Sequence, residues 1–267
     1  MLKVVTGRFH PTLESALVER VRWLKADDAL APIAIVVPSH HLGDRIRTLL
    51  AVEHRLSLLN LHLLTFHQLA LRLADEHKAE PVPRVVEELF FEQVIRHLVC
   101  DRLSRHESFR RLGRTVGTWG ALWATIRDLK DALVDPDQMM RGLQEGCFDD
   151  DERDWLEALV VLYAAVIETG RTLGVGTRND LAASLLPVVS TSLFLRPFRE
   201  VLYYGFYDLT QVQLSFFEAV SRTKGTTLFF PLEDDPAYGF ARRFFDRYIR
   251  PLASMVEGGV TSSGASS

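Results

Sequence analysis

The residues best suited to chemistry are scattered along this chain rather than clustered. Asp149-Asp150-Asp151-Glu152 offers carboxylates in a row, the ligands hard cations take. The run stands just ahead of a helical pattern beginning near Trp155, where acids cap a helix and complement its dipole. Asp128-Leu129-Lys130 and Pro136-Asp137 hold fragments of a metal-dependent nuclease pattern, but in the wrong order and on helical sequence rather than paired strands. His40 and His41 diverge on a helix, His62 and His67 fall on different elements, and His97 with Cys100 is half a metal site. Cys100 and Cys147 are too far apart for a disulfide framework or a zinc knuckle, and no Gly-x-Ser-x-Gly nucleophile elbow occurs. Two arginine groups remain. Arg102, Arg105, Arg110, Arg111 and Arg114 surround Phe109, while Arg242, Arg243, Arg247 and Arg250 lie near Phe240 and Phe244. Each reads either as a phosphate-tracking patch with an aromatic or as a solvated helix face; on the second helix, Phe240 and Phe244 are expected to pack one side.

The elements that must position these residues alternate. Leu2 to Val5 reads as a strand ending at Thr6-Gly7, followed by a helix with Leu13, Leu17, Val21 and Leu24 on one face. Ile33 to Val37 is a β-branched strand closed by Pro38, and Ser39 caps a helix carrying Leu42, Ile46, Leu49 and Leu50. Leu58 to Leu64 reads as a third strand, and Thr65 opens a helix with Leu69, Ala70 and Leu73. From about 81 to 196 helical stripes dominate, one of Val86, Phe90, Val94 and Leu98 and another of Trp155, Leu159, Leu162 and Val166, with no convincing strand between. The α/β pattern resumes with Val201 to Tyr204, a helix bearing Val212, Phe216 and Val220, the strand Thr226 to Phe230, and a last helix from Pro236 to Ile249. The expected fold is α/β: a RecA-like parallel sheet flanked by helices, formed by residues 1–80 and 197–251, with an all-helical insertion at 81–196. Small polar residues toward the end predict a flexible linker over 252–267, with more protein expected to follow.

Length and charge narrow the function. The 267 residues, 47% of them hydrophobic, suffice to bury a full core. No apolar run approaches a membrane span and no signal peptide opens the chain, so a cytoplasmic protein without membrane contact is expected. A net charge of −4 lacks the overall basic footprint of an autonomous duplex binder, so any nucleic-acid contact must be local.

Thr65-Phe66-His67-Gln68-Leu69-Ala70-Leu71-Arg72-Leu73 resembles the Thr-Phe-His-x-Leu-Ala-x-Arg-Leu segment with which UvrD/Rep-type superfamily 1 helicases touch single-stranded DNA. Further on, Phe206, Asp208 and Gln213 match the helicase pattern Val-Asp-Glu-Phe-Gln-Asp-Thr-x-x-x-Gln. The succession of elements resembles that of a helicase motor domain over nearly the whole chain. Gly7-Arg8 and Gly205-Phe206 are most similar to the N-terminal domain of AddB-type subunits of bacterial helicase-nucleases, whose nuclease lies far downstream and has no counterpart in this chain. The resemblance implies a role in recombinational repair of DNA ends, beside an active motor subunit of AddA type.

A phosphate-binding loop needs Gly-x-x-x-x-Gly-Lys-Ser/Thr, so that backbone N–H groups cradle the phosphates, the Lys neutralises them and the hydroxyl holds magnesium. Counted from Gly7 and Arg8, the second Gly is replaced by Thr12, the Lys by Leu13 and the hydroxyl by Glu14. Pro11 removes a backbone donor, and Glu14 places a carboxylate where polyphosphate would lie. The Asp and Glu a motor needs after its fourth core strand are Tyr204 and Gly205 here. No nucleotide cofactor is expected. DNA contact could persist through loops above the carboxyl ends of the strands: Pro38 and Ser39 on one, and Thr65, Phe66 and His67 on another, with Phe66 stacking on a base and Ser39, Thr65 and His67 bonding phosphate or sugar. The competing reading is a capped helix start with Phe66 buried. Two functions stay open: a non-catalytic domain that guides single strands and scaffolds a motor, or a protein-interaction module without DNA contact.

Overall fold

The structure, a computed structural model, describes residues 1–76, 82–104, 106–110, 112, 115–146 and 148–258. In chain order β1 (Leu2–Gly7) leads to α1 (Glu14–Leu24), β2 (Ile33–Val37), α2 (His40–Thr48), β3 (Leu61–Thr65) and α3 (Phe66–Ala74). Helices then dominate: β4 (Arg84–Val85), α4 (Glu88–His97), α5 (Glu107–Arg110), α6 (Val116–Asp131), α7 (Pro136–Glu145), α8 (Asp150–Leu173), β5 (Val175–Gly176) and α9 (Arg178–Leu185). The alternation returns with β6 (Glu200–Tyr204), α10 (Gln211–Thr223), β7 (Thr226–Pro231), α11 (Gly239–Phe244) and β8 (Met255–Gly258). Two compact units result: one of Met1–Lys78, Leu185–Leu209 and Gln213–Ser267, the other of Ala79–Ser184 with Thr210–Val212.

In the first unit six strands form one sheet in the order β3-β2-β6-β7-β1-β8, and every pairing is parallel. Parallel strands need long crossovers, which the helices supply, and both faces of the sheet are then covered. Accordingly β2, β6 and β7 are buried at every position. On one face Ile33, Ile35 and Val37 pack with Leu13, Leu17 and Val21 and with Ile46 and Leu50. The side-chain alternation of a strand sends Ala34 and Val36 to the other face. This is the RecA-like α/β sheet expected, with β1 and β6 separated by the single strand β7. Because all strands run the same way, the loops after β1, β2, β3, β6 and β7 leave from one edge.

Four departures from the sequence reading stand out, most of them with local causes. Met255–Gly258 lies where a linker was expected from 252 onward, yet it pairs with β1 as an edge strand and Glu257 reaches Lys3 at 2.8 Å; four exposed residues show no periodicity to read. The expected linker's last part, 259–267, lies outside the described residues. Inside the helical stretch Arg84–Val85 and Val175–Gly176 pair in parallel, again too short for a pattern. The helical unit ends at Ser184 rather than 196, because the following turn belongs with the sheet: the Glu76 carboxylate accepts from Ser192 Oγ and the Leu193 N–H, each at 3.0 Å. The third strand begins at Leu61 rather than Leu58.

The second unit is built on α4, α6 and α8. Phe91 and Trp123 stack at 4.3 Å with an interplanar angle of 7°, and Ile95, Ile126, Leu162 and Val166 complete its core. Asp135 and Asp149 cap α7 and α8 by accepting from the N–H groups of Gln138 and Glu152, each at 2.8 Å. No helix among the described residues is long and apolar enough to cross a membrane.

Candidate functional site

Gly7 ends β1, and the chain beyond it folds back in one wide turn, Phe9–Leu13, closed by the Leu13 N–H donating to the Arg8 carbonyl at 3.0 Å. A Cβ at Gly7 would lie 2.8 Å from the Thr12 methyl, so the glycine is needed for this close approach. Leu13 is fully buried and points into the core under α1. Glu14, 8% exposed, opens α1. Its carboxylate accepts from Arg45 Nη2 at 3.1 Å and Nε at 3.3 Å, and faces His10 Nδ1 at 2.7 Å. Arg45 also bonds Glu53. An anion from the chain itself thus stands at the first turn of α1, where a phosphate would meet the helix dipole, and it holds the nearest guanidinium.

The other half of the site follows β6. With β7 between them, the ends of β1 and β6 stand about two strand spacings apart, roughly 10 Å. Tyr204, 1% exposed, occupies the gap: its ring meets Phe9 edge-on at 5.2 Å and its hydroxyl donates to the Phe9 carbonyl at 3.4 Å. Burial, with Glu14 nearby, pushes the Tyr204 hydroxyl well above the usual phenol range, so it is neutral at physiological pH. Gly205 has φ +82°, and a Cβ there would lie 2.6 Å from Leu42 Cδ2 and 3.3 Å from the Phe9 ring. Gly7, Arg8, Leu13 and Glu14 thus follow β1 while Tyr204 and Gly205 end β6, with Phe9, Leu42 and Tyr204 packed between them and Arg45 drawn in from α2.

The DNA-contact candidates separate by exposure. Pro38 and Ser39 are exposed, and Ser39 Oγ caps α2 by accepting from the Leu42 N–H at 3.3 Å. Thr65 and Gln68 form a reciprocal capping box at the start of α3. His67 is half-buried. Phe66 is 8% exposed and packs edge-on against Phe216 at 5.2 Å, so its face is not presented to a base. The chain matches no family model and no curated protein.

The same edge carries aromatic rings to which the sequence reading gave no binding role on these loops. Tyr207, after β6, and Tyr238, after β7, lie 6.3 Å apart; Tyr207 is 43% exposed and Phe240, expected to pack, is 57% exposed while Phe244 is buried. Arg8 reaches Glu233 at 3.1 Å with 71% of its side chain exposed, Tyr238 donates to Glu233 at 3.2 Å, and exposed Arg243 makes no hydrogen bond or ion pair among the described residues. The segments after three neighbouring strands thus bring Arg8, Glu233, Tyr207 and Tyr238 together at one edge of the sheet. The signal in sequence was a Tyr-Gly-Phe-Ala-Arg-Arg run, whose outward side helical periodicity did not resolve.

The remaining candidates are structural. Lys130 pairs with Asp180 at 2.8 Å, His97 faces Asp101 at 2.6 Å, and His62 packs against Phe194 and Phe198, where burial lowers its pKa. Phe109 is core, against Trp155. Arg105, Arg111, Arg114 and Cys147 lie outside the described residues. Among the described residues no three His, Cys, Asp or Glu side chains are placed to hold a metal ion.

Proposed function

We propose that this chain is a non-catalytic, helicase-like domain of the AddB type, which holds single-stranded DNA at the carboxyl edge of its sheet and scaffolds a motor subunit of AddA type in break repair. The filled nucleotide site supports the first half of this reading: triphosphate and magnesium would have to displace Glu14 from Arg45 and Phe9 from Tyr204. The observation that carries the DNA role is the exposed Tyr207 ring paired with half-buried Tyr238, with Arg8 exposed on the loop after β1 and Phe240 and Arg243 exposed on the helix that follows β7. Exposed rings accept any base by stacking, and guanidinium groups follow the phosphates.

Fluorescence polarisation with a labelled oligothymidine at several salt concentrations tests it. Binding at low salt is expected, with the Tyr207→Ala/Phe240→Ala variant weaker by at least about tenfold, since each stacked base contributes roughly 1–3 kcal/mol. Absence of binding even at low salt, with retention of a motor subunit after nuclease treatment, would favour a protein-interaction module instead.

A further inference from the structure

The helical unit carries more apolar surface than its core uses. Of the helical stripe Val86, Phe90, Val94 and Leu98, Leu98 is buried in the core beside Phe91 and Ile95, while Phe90 and Val94 stay half-buried against it. With Leu98, and with Ala165 and Leu173 of α8, these two residues line a cavity of about 510 Å³, inside the range of small-molecule sites.

Most polar groups at its mouth are already engaged. Thr169 Oγ1 donates to the Ala165 carbonyl at 2.7 Å, Glu168 accepts from Arg171 at 3.0 Å, and His97 faces Asp101 at 2.6 Å. Arg102 differs. It ends the turn that continues α4, lines the same cavity, is exposed, and makes no hydrogen bond or ion pair among the described residues. A guanidinium so placed offers a planar fork that matches a carboxylate.

We propose that this cavity binds a compact apolar carboxylate, with its ring or alkyl chain against Phe90, Val94 and Leu173 and its carboxylate on Arg102. A cationic counterpart of the same shape binds more weakly, because Arg102 repels it and the carboxylate that lines the cavity, Glu168, already accepts from Arg171. The site is independent of the nucleic-acid reading and lies wholly within the helical unit.

Anilinonaphthalene sulfonate, an apolar ring system with an anionic group, reports on the site in the full chain by fluorescence. Saturable dye binding is expected, displaced by decanoate and not by decylamine. Arg102→Gln should weaken decanoate by roughly tenfold, the scale of one charged hydrogen-bonded pair, and Ala165→Phe should abolish binding by filling the cavity. Arg102 is exposed, so its variant keeps the fold and decides the matter even if the filled variant does not. Dye that decanoate fails to displace, equal displacement by decylamine, or an unchanged affinity in Arg102→Gln would overturn the proposal. So would capture of an acidic amphipathic peptide but not decanoate, which would make the cavity part of a peptide groove.

Discussion

Alanine at Gly205 should cost about 1–3 kcal/mol of stability, because its φ of +82° strains any residue with a Cβ and the added carbon would crowd Leu42 and Phe9. Urea denaturation of the variant measures the loss; a change below about 0.5 kcal/mol would mean the turn relaxes freely. The phenols give a pH test. Burial pushes the Tyr163 hydroxyl up to about 12, while it donates to the Val134 carbonyl at 2.7 Å; Tyr203 and Tyr204 are raised further by burial. A phenol whose folded pKa lies above its unfolded value of about 10 stabilises the fold below pH 10, and that contribution is lost as pH rises through the folded value. Absorbance titration should therefore show Tyr163, Tyr203 and Tyr204 ionising only as circular dichroism is lost above pH 10. All six titrating together near 10 with the fold intact would contradict the burial described. At this scale the sequence made the substitutions Leu13, Glu14, Tyr204 and Gly205 legible, because a phosphate loop has fixed spacing. It could not reveal Arg45, Leu42 or Phe9 as occupants, since what fills a site from another element leaves no spacing to count.

Caps are where single elements can be tested. Thr65 accepts from the Gln68 N–H while Gln68 bonds back to Thr65, so Thr65→Ala should lower stability by about 1 kcal/mol, read as a shifted melting temperature. If Thr65 instead serves mainly to contact DNA, the loss would appear in oligonucleotide affinity with the melt unchanged. The long strands were legible because β-branched runs bounded by Gly, Pro and Thr have little competing interpretation. On α4 the stripe of Phe90, Val94 and Leu98 was legible but its neighbour Phe91 and Ile95 was not: Phe90 and Phe91, like Val94 and Ile95, offer adjacent apolar positions, and periodicity alone cannot choose which of two neighbouring stripes is more deeply covered. A similar ambiguity hid Phe240, which a helical count pairs with Phe244 although only Phe244 is buried.

For the molecule as a whole, the net charge of −4 makes long-range attraction to DNA weak, so affinity should rest on the local arginines and rings. With two or three phosphates neutralised, the logarithm of the binding constant should fall with the logarithm of salt at a slope of about −1.5 to −2; a much steeper slope would place the contact on a larger basic surface elsewhere. The sheet has a further consequence for how the chain is made. Among the described residues β1 is flanked only by Thr226–Pro231 and Met255–Gly258, so these partners become available only when most of the polypeptide has been translated. At about 5–20 residues per second, that wait on the ribosome lasts roughly ten to fifty seconds. The helical unit, closed by neighbouring segments, can finish earlier, while the first apolar strand waits for shelter and is the natural client of a chaperone.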